Sequence, residues 1–337
     1  MTDTLLPRIV VVMDFPDELI EQMRAAAPGY RVERHFPDVP DSVWGDTEVL
    51  YTLRKFPTPE QAPRLRWIQL HFAGVERALQ HPIVKLEDIT LTSASGIHAT
   101  PIAEYCMAMM LAFNLKLPLM LKNQHKAYWQ EKPHDVFLPR PLRGQTLGIA
   151  GYGSIGREVA RLASGFGMKL LATKHDAKRP EDTDYHEAGL GDPTGDLPER
   201  IYPWQALASM AKECDFIVIA TPLTPETHHL VNADVLSAMK PTAVLINIAR
   251  GGVVDEAALT AALTAGDIGG AALDVFEEEP LPATSPLWAL GNVIISPHIS
   301  GNNVDYYKRA AALFIENLRR YAEQRPLLNR IDRTRGY

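Results

Sequence analysis

Three side chains of complementary chemistry follow three apolar segments in the second half of the chain. Arg250 ends the segment INIAR, Glu279 lies in ALDVFEEEP, and His298 follows NVIISP. Each apolar run has the length and composition of a buried β-strand. Ligands bind at the carboxyl ends of parallel strands, so a cation, a carboxylate and an imidazole at these ends suit the reduction of a keto acid.

Each of the three groups has a distinct task in such a reaction. An arginine fork holds a carboxylate and polarises a carbonyl oxygen, so Arg250 is the expected substrate ligand. Imidazole suits His298 as the general acid that protonates the carbonyl oxygen, and Glu279 would fix the orientation of its ring. Taken singly, each residue could equally be structural: a loop cap, a solvated acid or a core histidine.

The glycines of GYGSIG indicate a dinucleotide site. The motif lies between the strand-like segment TLGIA and the helix-like segment REVARLASGFG, which is the context that this fingerprint requires. Gly151 permits a tight turn, Gly153 lets the backbone approach a pyrophosphate, and Gly156 allows close packing of the helix. The first turn of that helix would offer unpaired N–H groups to the pyrophosphate. The alternative is an ordinary turn that binds nothing.

The end of the next strand distinguishes NAD from NADP. An acidic residue there binds the ribose 2′-hydroxyl of NAD, whereas a basic residue accommodates the 2′-phosphate of NADP. The segment ATKHDAKRP places Lys174 at this position, with Lys178 and Arg179 close behind. NADP is therefore favoured over NAD, although Asp176 is near enough to support the opposite choice.

Composition and charge argue against several classes of protein. The 337 residues suffice for two domains, and a net charge of −7 disfavours nucleic acid as a partner. The two cysteines lie far apart in apolar segments, which speaks against a disulfide framework or a metal site. The apolar stretch at residues 107–113 is too short to span a bilayer. With no targeting signal visible, we expect a cytoplasmic protein that has no membrane partner.

Strand-like and helix-like segments alternate in two series, which predicts parallel sheets covered by helices. The first series contains RIVVVMD, EVLYTL, LRWIQLHF and ITLTSA as strands; the second contains TLGIA, MKLLAT, FIVIA, AVLINIA, AALDV and NVIISP. A long apolar helix begins at Thr100. It is followed by an arm, residues 115–144, that is rich in prolines and aromatics and is expected to be irregular and to pack on a second subunit.

Together these motifs resemble those of the D-isomer-specific 2-hydroxyacid dehydrogenases, a family that includes phosphoglycerate dehydrogenase and the glyoxylate and hydroxypyruvate reductases. The resemblance rests on SGIHATPIAEY, GYGSIG, PLTPET, INIARGGVVDEAAL, ALDVFEEEPLP and SPHIS. It implies an α/β protein of two Rossmann-like domains with parallel sheets. A dinucleotide-binding domain, residues 100–299, would be inserted into a discontinuous, flavodoxin-like substrate domain, residues 1–99 and 300–337. Homodimers are usual in this family.

The resemblance also implies individual contacts. The backbone N–H groups of Ala73, Gly74 and Val75 would grip the substrate carboxylate, and Asp274 would bind the nicotinamide carboxamide. The other implied cofactor-binding residues are Ser154 and Ile155 in the pyrophosphate turn, Pro222 and Thr227 in PLTPET, Ile248 and Ala249 after the INIA strand, and Gly301.

The activity implied is NAD(P)-dependent reduction of a small 2-keto acid, such as glyoxylate or hydroxypyruvate, with His298 as the general acid. Two alternatives stay open. Oxidation of 3-phosphoglycerate would need a phosphate-binding cation, for which Arg54 and Lys55 are candidates. A corepressor-like protein that senses the cofactor could retain the same three residues without turnover.

Overall fold

The chain divides into two compact units in a computed structural model that describes residues 6–182 and 184–336. One unit contains the chain up to Ile97 together with the chain from Asn303 onwards, and the other is His98–Asn302. The polypeptide therefore leaves the first unit once and returns to it once. The described helices are α1 (Asp17–Ala26), α2 (Ala99–Asn114), α3 (Leu117–His125), α4 (Pro133–Val136), α5 (Ser154–Gly165), α6 (Leu207–Ala211), α7 (Ala233–Ala238), α8 (Glu256–Ala265) and α9 (Tyr306–Ala322).

The sheet of the first unit is entirely parallel. Its strands are β1 (Arg8–Val12), β2 (Arg31–Arg34), β3 (Thr47–Thr52), β4 (Trp67–Leu70) and β5 (Thr90–Thr92), in the order β2-β1-β3-β4-β5. This is the flavodoxin-like order. Helix α9 covers the sheet with an apolar stripe, and the ring of Phe314 lies 4.7 Å from that of Tyr51 and 5.4 Å from that of Trp67. The stripe consists of Ala311, Phe314, Ile315 and Leu318, and all four are buried.

The sheet of the second unit is also parallel. Its strands are β6 (Thr146–Ala150), β7 (Lys169–Lys174), β8 (Arg200–Pro203), β9 (Phe216–Ile219), β10 (Val244–Asn247), β11 (Gly270–Leu273) and β12 (Val293–Ile295), in the order β12-β11-β10-β9-β6-β7-β8. Strand order reverses between β6 and β9, and such a switch point is where open α/β sheets bind ligands. Apolar cores cover both faces. The predicted fold class, two parallel α/β sheets, is confirmed.

The arm at residues 115–144 is more regular than its sequence suggested. It contains α3, with Pro118 in its first turn, and the short α4; a proline there is compatible with a helix because the first N–H groups need no partner. Within the described part of the chain, no single helix is long and apolar enough to cross a membrane. Helices α2 and α3 meet that criterion only as a pair bent by 66°.

Candidate active site

The glycine turn joins β6 to α5 at the switch point. Gly151 has φ +101°, and a Cβ there would lie 2.8 Å from the carbonyl carbon of Ala220, which follows β9. A Cβ on Gly156 would lie 2.3 Å from the oxygen of Gly151. Only glycine therefore allows the turn, the neighbouring strand end and the helix to approach this closely.

The first turn of α5 is open to an anion. Gly153 is the N-cap residue, no side chain caps the helix, and its first turn holds no acidic residue. A Cβ on Gly153 would meet no atom within 4 Å, so space is left beside the backbone. Ser154 and Ile155 form the start of the helix, where unpaired N–H groups and the helix dipole favour negative charge. This cradle fits a dinucleotide pyrophosphate.

Lys174, at the end of β7, holds the loop that follows. Its ammonium donates hydrogen bonds to the carbonyl oxygens of Arg179, Pro180 (3.3 Å) and Glu181 (2.7 Å). Burial, followed by the positive charge of Arg157, lowers the pKa of Lys174. An ammonium has three donors, and all three are used here. Contact between Lys174 and a 2′-phosphate stays a prediction. In the structure the lysine also holds the loop at residues 179–181 in place.

The remaining predicted cofactor residues also lie in the second unit. The hydroxyl of Thr227 donates to the Pro222 carbonyl (2.6 Å) and accepts from the Thr224 N–H (2.8 Å), so it fastens the turn after β9. Ile248 and Ala249 follow β10 and are buried. A Cβ on Gly301 would lie 3.0 Å from His98 Nδ1. Whether these residues touch the cofactor stays a prediction.

Arg250 is positioned by a residue that the sequence analysis did not single out. Asn247, the last residue of β10, is buried; its Oδ1 accepts from the Ala249 N–H and its Nδ2 donates to the Arg250 carbonyl, each at 3.1 Å. The Arg250 Nη1 donates to the Ala249 carbonyl at 2.7 Å. The sequence does contain a signal for this role, because Asn247 is a polar residue at the end of an otherwise apolar strand.

The turn after Arg250 lies directly against the segment that leads to Glu279. A Cβ on Gly251 would fall 1.8 Å from the carbonyl carbon of Phe276 and 2.3 Å from the nitrogen of Glu277. The two backbones are therefore in contact at this point, with no side chain between them. This contact couples the position of the arginine turn to that of the acidic segment.

His298 and Glu279 form a hydrogen-bonded pair. His298 Nδ1 lies 2.8 Å from Glu279 Oε2, and Glu279 Oε1 accepts from the Phe276 N–H at 3.1 Å. Both side chains are partly accessible, with exposed fractions of 50% for the histidine and 37% for the glutamate. Because Nδ1 faces the carboxylate, Nε2 is the ring nitrogen available for proton transfer.

The backbone of His298 is held in an unfavourable conformation. Its φ is +55°, which costs a non-glycine residue about 1–2 kcal/mol. The fully buried carboxylate of Asp274 accepts hydrogen bonds from Ser296 Oγ (2.6 Å), Ile299 N (2.8 Å) and Ser300 N (2.9 Å). A carboxylate has about four acceptor positions, and three are occupied. The predicted contact between Asp274 and the carboxamide stays a prediction.

The predicted substrate loop lies in the first unit, after β4. Val75 is buried in the core of that unit, while Ala73 and Gly74 are half-buried. His71, just before the loop, has its Nδ1 2.6 Å from the Tyr51 hydroxyl, and its carbonyl accepts from the Tyr306 hydroxyl at 3.0 Å. Two tyrosines therefore anchor the start of the loop.

Comparison with known proteins confirms the resemblance inferred from the motifs. Residues 107–300 match the model of the D-isomer specific 2-hydroxyacid dehydrogenase, NAD binding domain. The glyoxylate reductase of Korarchaeum cryptofilum (strain OPF8) is 35% identical over 260 residues, which cover 77% of this chain and 74% of that protein.

Two solved structures agree with this match. A D-isomer specific 2-hydroxyacid dehydrogenase family protein from Aeromonas salmonicida subsp. salmonicida A449 superimposes with a TM-score of 0.79 at 32% identity, covering 97% of this chain and 99% of that one. The D-isomer specific 2-hydroxyacid dehydrogenase from Xanthobacter autotrophicus Py2, in complex with NADPH and MES, gives a TM-score of 0.79 at 27% identity and covers 98% and 99%. This chain therefore belongs to the D-isomer specific 2-hydroxyacid dehydrogenase family and is an NAD(P)-dependent oxidoreductase.

Proposed function

We propose that the chain reduces a small 2-keto acid, such as glyoxylate or hydroxypyruvate, to the 2-hydroxy acid. The observation that carries this proposal is the 2.8 Å contact between His298 Nδ1 and Glu279 Oε2. It directs the other ring nitrogen away from the carboxylate and fixes the plane of the imidazole. A proton donor held in this way suits a carbonyl oxygen that gains negative charge during reduction.

The residues act on the substrate as follows. When bound, the reduced nicotinamide supplies a hydride for the carbonyl carbon. His298 Nε2 donates a proton to the carbonyl oxygen, and Glu279 retains its hydrogen bond to Nδ1–H before and after that transfer. Arg250 binds the substrate carboxylate and polarises the carbonyl oxygen. In the first unit, the backbone N–H groups at residues 73–75 are further proposed substrate ligands.

NADP is the cofactor that we propose as preferred. Lys178 and Arg179 are exposed cations in the loop after β7, and they are placed early enough after the strand to meet a 2′-phosphate. The related Xanthobacter enzyme was solved with NADPH. The substrate class is supported by the name of the Korarchaeum relative, glyoxylate reductase.

We further propose that the enzyme is a cytoplasmic homodimer. The arm exposes large apolar side chains, including Leu121, Trp129 and Leu138, of which Trp129 is 86% exposed. A second copy would cover such a surface. Cys106 and Cys214 are free thiols, which suits a reducing compartment.

Replacing Gly153 by alanine is expected to weaken cofactor binding without unfolding the protein. The added methyl meets no protein atom within 4 Å, but it occupies the space beside the backbone that a pyrophosphate would use. We expect Kd for NADPH to rise about tenfold, which equals about 1.4 kcal/mol, with Tm little changed. Fluorescence titration and thermal melting measure the two quantities.

The matched control for this substitution is Gly165→Ala. Gly165 ends the same helix, and a Cβ there also meets no atom within 4 Å. It should leave Kd unchanged. Equal Kd values for the two variants would contradict the assignment of Gly153 to the cofactor cradle.

The proposed function is tested by following oxidation of NADPH and NADH with glyoxylate, hydroxypyruvate, pyruvate and longer 2-keto acids. We expect turnover with the smallest acids and a higher kcat/KM with NADPH. Oxidation of 3-phosphoglycerate without any keto acid reduction would favour the phosphoglycerate alternative. Tight cofactor binding with no turnover on any substrate would favour the corepressor-like alternative.

A further inference from the structure

A chain of hydrogen bonds links helix α2 to the loop that carries His298. The Tyr105 hydroxyl lies 2.7 Å from Ser296 Oγ, and Ser296 Oγ donates to Asp274 Oδ1 at 2.6 Å. A serine hydroxyl has one hydrogen, and this one is given to the carboxylate. The tyrosine must therefore donate to the serine, so the chain runs in one direction from Tyr105 to Asp274.

The Asp274 carboxylate, at the end of this hydrogen-bond chain, is bonded to residues on both sides of His298. Asp274 accepts from Ser296 on the N-terminal side, and from the N–H groups of Ile299 and Ser300 on the C-terminal side. The His298 N–H donates to the Ser296 carbonyl at 3.1 Å, which closes the loop on itself. The left-handed backbone of His298 therefore depends on one buried carboxylate.

Burial makes this arrangement sensitive to each donor. Asp274 is fully buried, and a buried carboxylate is tolerated only when its oxygens are hydrogen-bonded. Chains of hydrogen bonds polarise one another, so loss of the Tyr105 donor weakens the bond from Ser296 to Asp274. Burial raises the pKa of Tyr105 to about 12. Its hydroxyl therefore retains its proton, and remains a donor, at neutral pH.

We propose that Tyr105 and Ser296 are positioning residues for His298. They orient the Asp274 carboxylate, which holds the backbone of the loop, and the loop in turn places His298 Nδ1 on Glu279. This inference rests on the proposed role of His298 as the general acid. It adds to that role a residue from α2 and a serine that lies 191 positions away in the sequence.

The first test compares Tyr105→Phe and Ser296→Ala with the wild type. We expect kcat to fall about tenfold in each, because small misplacements of a reacting group are costly, while KM and Kd for NADPH stay nearly constant. Ser296→Thr retains the hydroxyl, so its kcat should be close to that of the wild type, unlike that of Ser296→Ala. The matched control is Tyr202→Phe, which removes a hydroxyl bonded to Glu213 Oε1 at 2.7 Å, and which should leave kcat unchanged.

The second test asks whether Tyr105 acts through His298. In a His298→Asn background, adding Tyr105→Phe should not lower the residual rate further, because no imidazole remains to be positioned. The same tenfold loss in both backgrounds would overturn the inference, because it would indicate a general structural role. Wild-type kcat in Tyr105→Phe, with His298→Asn inactive, would overturn the inference and leave the proposed function intact. Full turnover in His298→Asn alone would overturn both.

Discussion

Replacing His298 by asparagine is expected to lower kcat by about 10²–10⁴-fold, the usual contribution of a general acid. Asparagine cannot donate a proton as imidazolium does, yet among non-glycine residues it is one of the most tolerant of a left-handed backbone. The φ of +55° at this position should therefore be retained, whereas alanine would add strain. Kd for NADPH should stay within about threefold, since the cofactor cradle is built by other segments.

The chain offers a close control for this substitution. His229 also has a left-handed backbone, with φ +50°, and its Nε2 lies 2.8 Å from a carboxylate oxygen of Glu277. His229→Asn thus repeats the same chemical change in the same backbone conformation, and should leave kcat unchanged. Stopped-flow and steady-state assays with NADPH measure the effect. Equal kcat in the two variants would remove His298 from the mechanism.

Replacing Gly251 by alanine is expected to destabilise the protein and to disable the site at the same time. The new Cβ would lie 1.8 Å from the carbonyl carbon and 2.0 Å from the oxygen of Phe276. These are backbone atoms, so no rotamer change relieves the clash, and the cost should reach about 3 kcal/mol, the upper end of overpacking. For a unit of this size that lowers Tm by about 6–12 °C.

Activity of Gly251→Ala should fall further than the loss of stability explains. Relief of the clash requires the turn of Arg250 and the segment before Glu279 to separate, and both carry groups of the proposed site. Gly252→Ala is the matched control, because its Cβ would first meet Leu223 Cδ2 at 3.4 Å, an ordinary contact with a side-chain end. Thermal melting and kcat/KM at a temperature where both variants are folded provide the comparison; similar values for the two would argue against a backbone contact at Gly251.

Sequence alone predicts every central strand of the two sheets but only two of their four edge strands. FIVI is apolar throughout, and VLIN is apolar except for its last residue, Asn247, because central parallel strands are buried on both faces. Of the four edge strands, β5 and β12 were predicted, whereas β2 and β8 have the sequences RVER and RIYP, and neither of these shows a strand pattern. An edge strand has one neighbour and a partly solvated face, so charged residues and a proline are tolerated there.

In the candidate site, features with a local cause were predictable and contacts between distant segments were not. The glycine turn was predictable because its requirement is local: a left-handed residue at Gly151 and close packing at Gly156. The partners of Lys174 and Asp274 were not, although each side chain was singled out. Lys174 donates to a loop carbonyl, and Asp274 accepts from Ser296, whose hydroxyl is itself bonded to a tyrosine of a distant helix. No pattern of spacing encodes such contacts.

The return of the chain to the first unit bears on the order in which the protein is made. Phe314 packs against Tyr51 and Trp67, so the core of that unit stays incomplete until the ribosome has synthesised α9. His98–Asn302 is continuous, and domains fold as units during synthesis. The nascent chain can then bind a nucleotide before its other half is complete, and bound ligand stabilises the folded form. Cellular nucleotide supply would thereby influence how much enzyme reaches its folded state, as well as how fast the finished enzyme works.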